Sequence, residues 1–298
     1  MYSLSQARTA LSDPRWFYRE PLRRLTHYRT GLNYNPGGVD VFAEDWDNLI
    51  VLDAARYDEF ERCCAIDGRL EKRLSRGATS SEFIRGNFAG RTLHDTVYVS
   101  ANPHYARLRQ ELGAELHDYI PLHNDEFRDA AGGLTTYPET VTERTIQANK
   151  TYPQKRLIVH YLQPHQPFLG PSASHIQHGH GIIDTIQRND LSLQELRSYY
   201  RENHELVLEQ VTVLGDELRG KTVVTADHGE MLGERVFGSP IREFGHWDGM
   251  YSNELLEIPW FVMTNGERKK TVAETPQRST DIDTESVEEQ LQNLGYRV

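Results

Sequence analysis

Compact hydrophobic runs alternate along this chain with longer stretches of helical periodicity. Asn48–Leu52, Thr96–Ser100, Arg156–Leu162, Thr222–Ala226 and Ile258–Met263 are short runs rich in β-branched and aromatic side chains, the pattern of strands buried on both faces. Residues 56–66, 105–113 and 138–149 read as helices. The clearest helix spans Glu195–Leu218, where Leu196, Tyr199, Tyr200, Val207, Val211, Leu214 and Leu218 recur on one stripe. It directly precedes the run Thr222–Ala226 and so has the place of a crossover helix. This order predicts an α/β fold: a largely parallel central sheet flanked by helices on both faces.

The pattern is weaker elsewhere. Residues 114–137 show no clear period and read as an irregular excursion. Residues 170–192 are polar, carry His175, His178 and His180, and read as a lid or surface loop. Residues 264–283 read as a polar linker and Thr284–Leu294 as a terminal helix. The expected organisation is an arm over residues 1–47 packed on the main domain, that main domain over 48–265, and a linker with a C-terminal helix over 266–298.

The formal net charge of −11 disfavours a nucleic-acid partner, because a phosphate backbone would be repelled on average. The arm runs against that charge with Arg15, Arg19, Arg23, Arg24 and Arg29 among Trp16, Phe17 and Tyr18. Such a mixture suits packing on the domain, and also peripheral membrane contact through residues 15–29. The two cysteines, Cys63 and Cys64, are adjacent and read as ordinary helix side chains. No apolar run reaches the ~20 residues that span a bilayer, and the N-terminus has no apolar signal core. The expectation is a soluble cytoplasmic protein.

Candidate chemistry gathers at the ends of the predicted strands. Thr222–Ala226 runs into Asp227–His228–Gly229–Glu230, and Asn48–Leu52 runs into Asp53. In an open α/β sheet ligands bind outside the carboxyl ends of the strands, and a carboxylate beside a neutral imidazole offers mixed oxygen and nitrogen ligands to a cation. His160 and His165 flank the exit of Arg156–Leu162, where Pro164 and Pro167 stiffen the loop. Gly77–Ala78–Thr79–Ser80–Ser81–Glu82 is a helix-start pattern. One hydroxyl there can cap the helix while another faces an anion held by the helix N-terminus. Arg56 either approaches an anionic substrate or forms a structural ion pair.

Taken together, these motifs resemble the sulfatase-like branch of the alkaline phosphatase superfamily, over residues 48 to about 263. The most specific pieces are Asp227–His228–Gly229–Glu230 with Gly233–Glu234 and the later Gly245–His246. The segment Gly77–Phe83 is similar to the threonine-nucleophile segment of lipoteichoic acid synthases. The spacing of His160, His165 and Pro167 is similar to that in phosphoethanolamine transferases. The resemblance implies an alkaline-phosphatase-like fold and a metal-dependent hydrolase or transferase of phosphate or sulfate esters. It implies that Asp53, Thr79, Asp227 and His228 hold a divalent ion and that Thr79 is the nucleophile, with the adjacent Ser80 as the alternative. His165 and His246 would act on the substrate's anion or hold a second ion, with Arg56, Ser80 and His160 at the substrate. Zinc or manganese suits these ligands, with calcium or magnesium as alternatives and one or two ions in all. The substrate would be a small anionic ester or a sulfated or phosphorylated glycan or lipid head group. A chain that only binds such a head group, and a phosphomutase or phosphonate-cleaving enzyme, are the rival readings. Two departures stand out: no C/S-x-P-S-R segment is present for formylglycine formation, and the membrane helices of the related transferases are missing.

Overall fold

The computed structural model describes residues 15–122, 127–130, 133–235, 241–276, 287 and 291. In chain order the helices are α1 (Trp16–Thr30), α2 (Tyr57–Cys63), α3 (Ser80–Phe88), α4 (His104–Leu112), α5 (Pro138–Thr151), α6 (Ile182–Asn189), α7 (Leu193–Glu217) and α8 (Asn253–Leu256). The strands are β1 (Asn48–Asp53), β2 (Arg69–Leu74), β3 (Thr92–Ser100), β4 (Glu115–Pro121), β5 (Phe127–Ala130), β6 (Gly133–Thr136), β7 (Arg156–Pro164), β8 (Gly220–Ala226), β9 (Met231–Arg235), β10 (Arg242–Gly245) and β11 (Glu257–Asn265).

Seven strands form the central sheet in the order β2-β11-β8-β1-β7-β3-β4. The five from β8 to β4 pair in parallel, and β11 is antiparallel to both β8 and β2. The largely parallel sheet expected from the pattern is therefore present. Its centre is apolar on both sides because β1 alternates. Ile50 and Leu52 pack with Val207, Val211 and Leu214 of α7 and with Val141 of α5. Leu49 and Val51 pack on the other face with Phe83, Ile84 and Phe88 of α3 and Leu108 of α4. Burying such side chains stabilises by about 1.5–3 kcal/mol each. Val287 and Leu291 add to the second face; the rest of the predicted terminal helix lies outside the described residues.

Three expectations need correction. Residues 115–121 are not irregular but form the edge strand β4, paired in parallel with β3. Residues 182–189 are not a loop but helix α6, whose Ile182 joins Phe168, Leu196, Tyr200 and Leu232 in a separate apolar cluster. His178 from the same stretch is buried and its Nε2 accepts from Phe168 N at 2.8 Å. Residues 266–276 are a strap tied to the sheet's amino edge. Val272 N donates to Gln154 O at 3.0 Å, Glu274 N to His94 O at 3.1 Å, and Lys155 Nζ to Val272 O at 2.8 Å.

The register aligns the functional ends. Leu52 lies opposite Tyr161 of β7 and Ala226 of β8, so Asp53 and Asp227 leave adjacent strands at one edge. Immediately beyond, Ala54 takes a left-handed φ of 61°, a conformation that costs a non-glycine residue of order 1 kcal/mol or more. Tyr200 holds it by donating to Ala54 O at 2.6 Å, while Ala54 N donates to Asp227 Oδ1 at 3.0 Å.

Candidate active site

Each ligand-bearing side chain is aimed by its backbone. Gly229 has room for no side chain, since a Cβ there would lie 2.0 Å from Glu254 O; this close approach lets the chain turn after His228. Ser75 Oγ donates to Asp227 O and accepts from Gly77 N, fastening the loop before α3 to the end of β8. Thr79 is the N-cap of α3, its hydroxyl accepting from Glu82 N at 3.4 Å. Glu82 reaches back to Ala78 N at 2.9 Å. Ser80 is then the first helical residue, directed inward and fully buried.

Asp53, Ser80, Asp227 and His228 come together. Ser80 Oγ donates to Asp227 Oδ2 at 2.6 Å and lies 3.4 Å from His228 Nε2. That nitrogen is 3.6 Å from Asp53 Oδ1 and 3.5 Å from Asp227 Oδ2. His228 Nδ1 donates to Gly229 O at 2.8 Å, which leaves Nε2 with its lone pair directed at the carboxylates, the arrangement of a metal-binding imidazole. Asn102 Nδ2 bridges Asp53 Oδ2 and Ser80 Oγ, at 3.0 Å from each. His160 Nε2 stands 3.5 Å from Asp227 Oδ2, and Tyr98 Oη meets its Nδ1 at 2.7 Å.

A second group adjoins the first. His165, Glu230 and His246 bring ligand atoms within 4.8 Å of one another, and the His228 and His246 rings lie 4.3 Å apart. His165 Nδ1 donates to Gln166 O at 2.7 Å. This group borders a cavity of about 390 Å³ also lined by Thr79, His104, Arg107, Asp184, Trp247 and Asp248.

The electrostatics suit a cation. Burial, and then the Asp227 charge, push Asp53 well above the usual carboxylate range. Burial also acts upward on Asp227, but His228, His160 and the Ser80 hydrogen bond outweigh it and hold Asp227 low. Burial raises Glu230 to about 7 and lowers His165 and His246 to about 4 each. Buried carboxylates thus face neutral imidazoles. Asp53 Oδ1 and His160 Nε2 are buried without a hydrogen-bond partner, a costly state for polar atoms that a divalent ion would relieve. The residues fit such an ion.

The other expected site residues lie elsewhere. Thr79 Oγ1 donates to Asp248 Oδ1 at 2.7 Å on the cavity wall, away from the carboxylates that Ser80 meets. Arg56 is a structural clamp: it pairs with Asp58 at 2.7 Å and Glu234 at 2.6 Å and donates to Glu230 O at 3.2 Å. His160 lies behind the carboxylates, fully buried between Tyr98 and Asp227. Asn102, Glu230 and Asp248 were absent from the expected set. The strand-exit rule that selected Asp53 and His165 also covers Asn102, which follows β3.

No family model and no curated protein matches the sequence. Among solved structures, the chain is similar to the C-terminal periplasmic domain of EcEptC from Escherichia coli in complex with zinc, at 13% identity and a TM-score of 0.47, covering 76% of this chain and 75% of that one. It is similar to an alkaline phosphatase superfamily protein from Vibrio parahaemolyticus, at 12% identity and TM-score 0.44, covering 89% and 69%. Phosphonate monoester hydrolase from Silicibacter pomeroyi shows 14% identity and TM-score 0.43, covering 84% and 73%. The fold itself, a largely parallel sheet flanked by helices, stands on the sheet order alone. The expected cytoplasmic location is not supported: the E. coli structure and that of a Campylobacter jejuni phosphoethanolamine transferase, both similar to this chain, are described as periplasmic domains. No helix among the described residues is long and apolar enough to cross a membrane.

Proposed function

We propose that the chain is a cation-dependent phosphoryl-transfer enzyme, a hydrolase or transferase of phosphate esters that works through a covalent ester on Ser80. The observation that carries this reading is the Ser80 hydroxyl 2.6 Å from Asp227 Oδ2, among buried ligand atoms of which Asp53 Oδ1 and His160 Nε2 lack a hydrogen-bond partner. A divalent ion such as zinc or manganese, held by Asp53, Asp227 and His228, would lower the pKa of the hydroxyl and offset charge on the transferring group.

Ser80 Oγ forms the new bond to phosphorus as the bond from phosphorus to the leaving oxygen breaks, and the hydroxyl proton ends on the departing oxygen, while Asp227 Oδ2 orients the hydroxyl. Asn102, bonded to both Asp53 and Ser80, keeps the nucleophile and that carboxylate in register. Water or an acceptor alcohol then attacks the seryl ester and restores the hydroxyl. Glu230, raised to about 7, is suited to exchange protons with the leaving and entering oxygens. The substrate class is an anionic phosphate ester, a glycan or lipid head group included. Sulfate esters are the contrasting arm, because the formylglycine segment is missing from the sequence.

Thr79 is the second reading, favoured by its place on the cavity wall, where Ser80 lies deeper. Alanine at each position, assayed with zinc or manganese on aryl phosphate, phosphonate and sulfate esters, separates the two. Ser80→Ala should lose about 10³-fold in kcat/KM on the phosphate ester while Thr79→Ala stays within about tenfold. Mass spectrometry of the stalled wild type should find the phosphoryl group on Ser80. Full activity in Ser80→Ala would overturn the assignment. A purified protein that contains no metal and turns over none of these esters would leave a head-group-binding protein instead.

A further inference from the structure

Helix α1 has two faces of different character. Its inner face is fastened to the site: Arg19 pairs with Glu243 at 2.5 Å and stacks 3.7 Å over Trp247, Thr26 donates to Gly249 O at 3.1 Å, and His27 meets Glu82 at 3.2 Å. Its outer face is open. Phe17 is 62% exposed, Leu25 51% and Tyr28 87%. Pro21, Arg24 and Arg29 are exposed on the same side, and Leu32 continues the line beyond the helix. These positions fall on one helical stripe, so the apolar side chains form a continuous ridge rather than scattered contacts with water.

We propose that this ridge docks on an anionic lipid bilayer. Charge complementarity selects that occupant. Of the five arginines in residues 15–30, Arg19 is buried on Glu243 and Arg23 and Arg24 share Glu20, which still leaves the stretch net positive in a chain whose net charge is −11. An anionic surface repels most of this protein and attracts this helix, which fixes one docking orientation. Phe, Leu and Tyr seated among arginines is the composition of a helix that lies in the interface, apolar groups in the acyl boundary and guanidinium groups at the phosphates. The loop that α1 clamps carries His246 and Asp248, so docking would hold the cavity wall beside the lipid head groups. The inference goes beyond the proposed chemistry and does not depend on it.

Co-sedimentation of the full chain with vesicles tests this without any catalytic readout. Binding is expected to mixed phosphatidylglycerol–phosphatidylcholine vesicles and not to phosphatidylcholine alone, and it should weaken as salt is raised. The triple variant Phe17→Ser, Leu25→Ser, Tyr28→Ser should lower the partition coefficient at least ~10-fold. Arg29→Gln should lower it about fivefold, with unchanged circular dichroism and thermal midpoint in both variants. The proposal is overturned if the wild type stays in the supernatant, or if the triple variant sediments as well as the wild type. It is equally overturned if light scattering shows a dimer that the triple variant loses, since a second copy would then be what covers the ridge.

Discussion

Both edges of the central sheet collect charged side chains, and they use them in opposite ways. At the amino edge three acids meet three bases. Asp45 pairs with Arg268 at 2.6 Å and Lys221 at 3.2 Å, Asp47 pairs with Arg268, and Lys155 pairs with Glu274 at 2.9 Å. At the carboxyl edge Asp53, Asp227 and Glu230 meet an amide, a hydroxyl and imidazoles that burial keeps neutral. The first arrangement is complete within the chain. The second leaves buried negative charge and orphaned ligand atoms, and it becomes favourable only with something from outside. The proposed function therefore sits where the polypeptide fails to neutralise itself.

The sharpest way to break this contrast is to remove charge at the carboxyl edge. Asp227→Asn should cost about 10³-fold in kcat/KM, about 4 kcal/mol of transition-state stabilisation. The bound divalent ion, read by elemental analysis of the purified protein, should fall with it. Chelation of the wild type should lower the thermal midpoint, because an ion that binds only the folded state at 100 times its Kd adds about 2.7 kcal/mol. In Asp227→Asn the chelator should shift the midpoint far less. A variant that keeps its metal and its activity would show that the buried carboxylates are structural.

The same contrast explains what was legible in the sequence. Strands β1, β7 and β8 were visible because both faces are buried, which leaves nearly continuous apolar runs. β2 was not, since Arg69–Leu74 is a charged edge strand of mostly exposed or half-buried positions, and β4 was hidden the same way. The acids and histidines at strand exits were legible by position: Asp53, His165, Asp227 and His228 all leave the sheet at its carboxyl edge. The choice between Thr79 and Ser80 was not. Adjacent hydroxyls at a helix start differ by about 100° in direction, and only the docking of α3 through Glu82 and Ser75 decides which faces Asp227. Asn102 lay within reach of the same strand-exit rule, whereas the grouping of Glu230 with His165 and His246 joins separate segments, which local pattern does not carry.

His204 sharpens the comparison as a buried imidazole on which burial outweighs the pull of Asp58. It is fully buried against Phe60 and Tyr200, and burial lowers it to about 3. The folded state keeps it neutral while the unfolded chain binds a proton below about pH 6.5. Its contribution is therefore intact above that pH and is lost as pH falls from 6.5 towards 3. Between pH 7 and pH 5 this amounts to about 2 kcal/mol. Denaturant unfolding of His204→Leu should show a correspondingly smaller loss of stability over that interval than the wild type. Identical slopes would mean that His204 carries a proton in the folded protein.

The smallest effect is expected where charges are already matched. Asp45 is held at about 2 by the Arg268 hydrogen bond, yet its side chain is 65% exposed, so water and salt screen most of that interaction. Asp45→Asn should cost less than about 1 kcal/mol in chemical denaturation, and this loss should vanish in high salt. Metal content and ester turnover should be unchanged, because the amino edge asks nothing of an outside ligand. A loss of bound metal in this variant would join the two edges into one electrostatic unit and remove the distinction between them. An unchanged metal content with a small, salt-sensitive loss of stability would confine the requirement for a cation to the carboxyl edge.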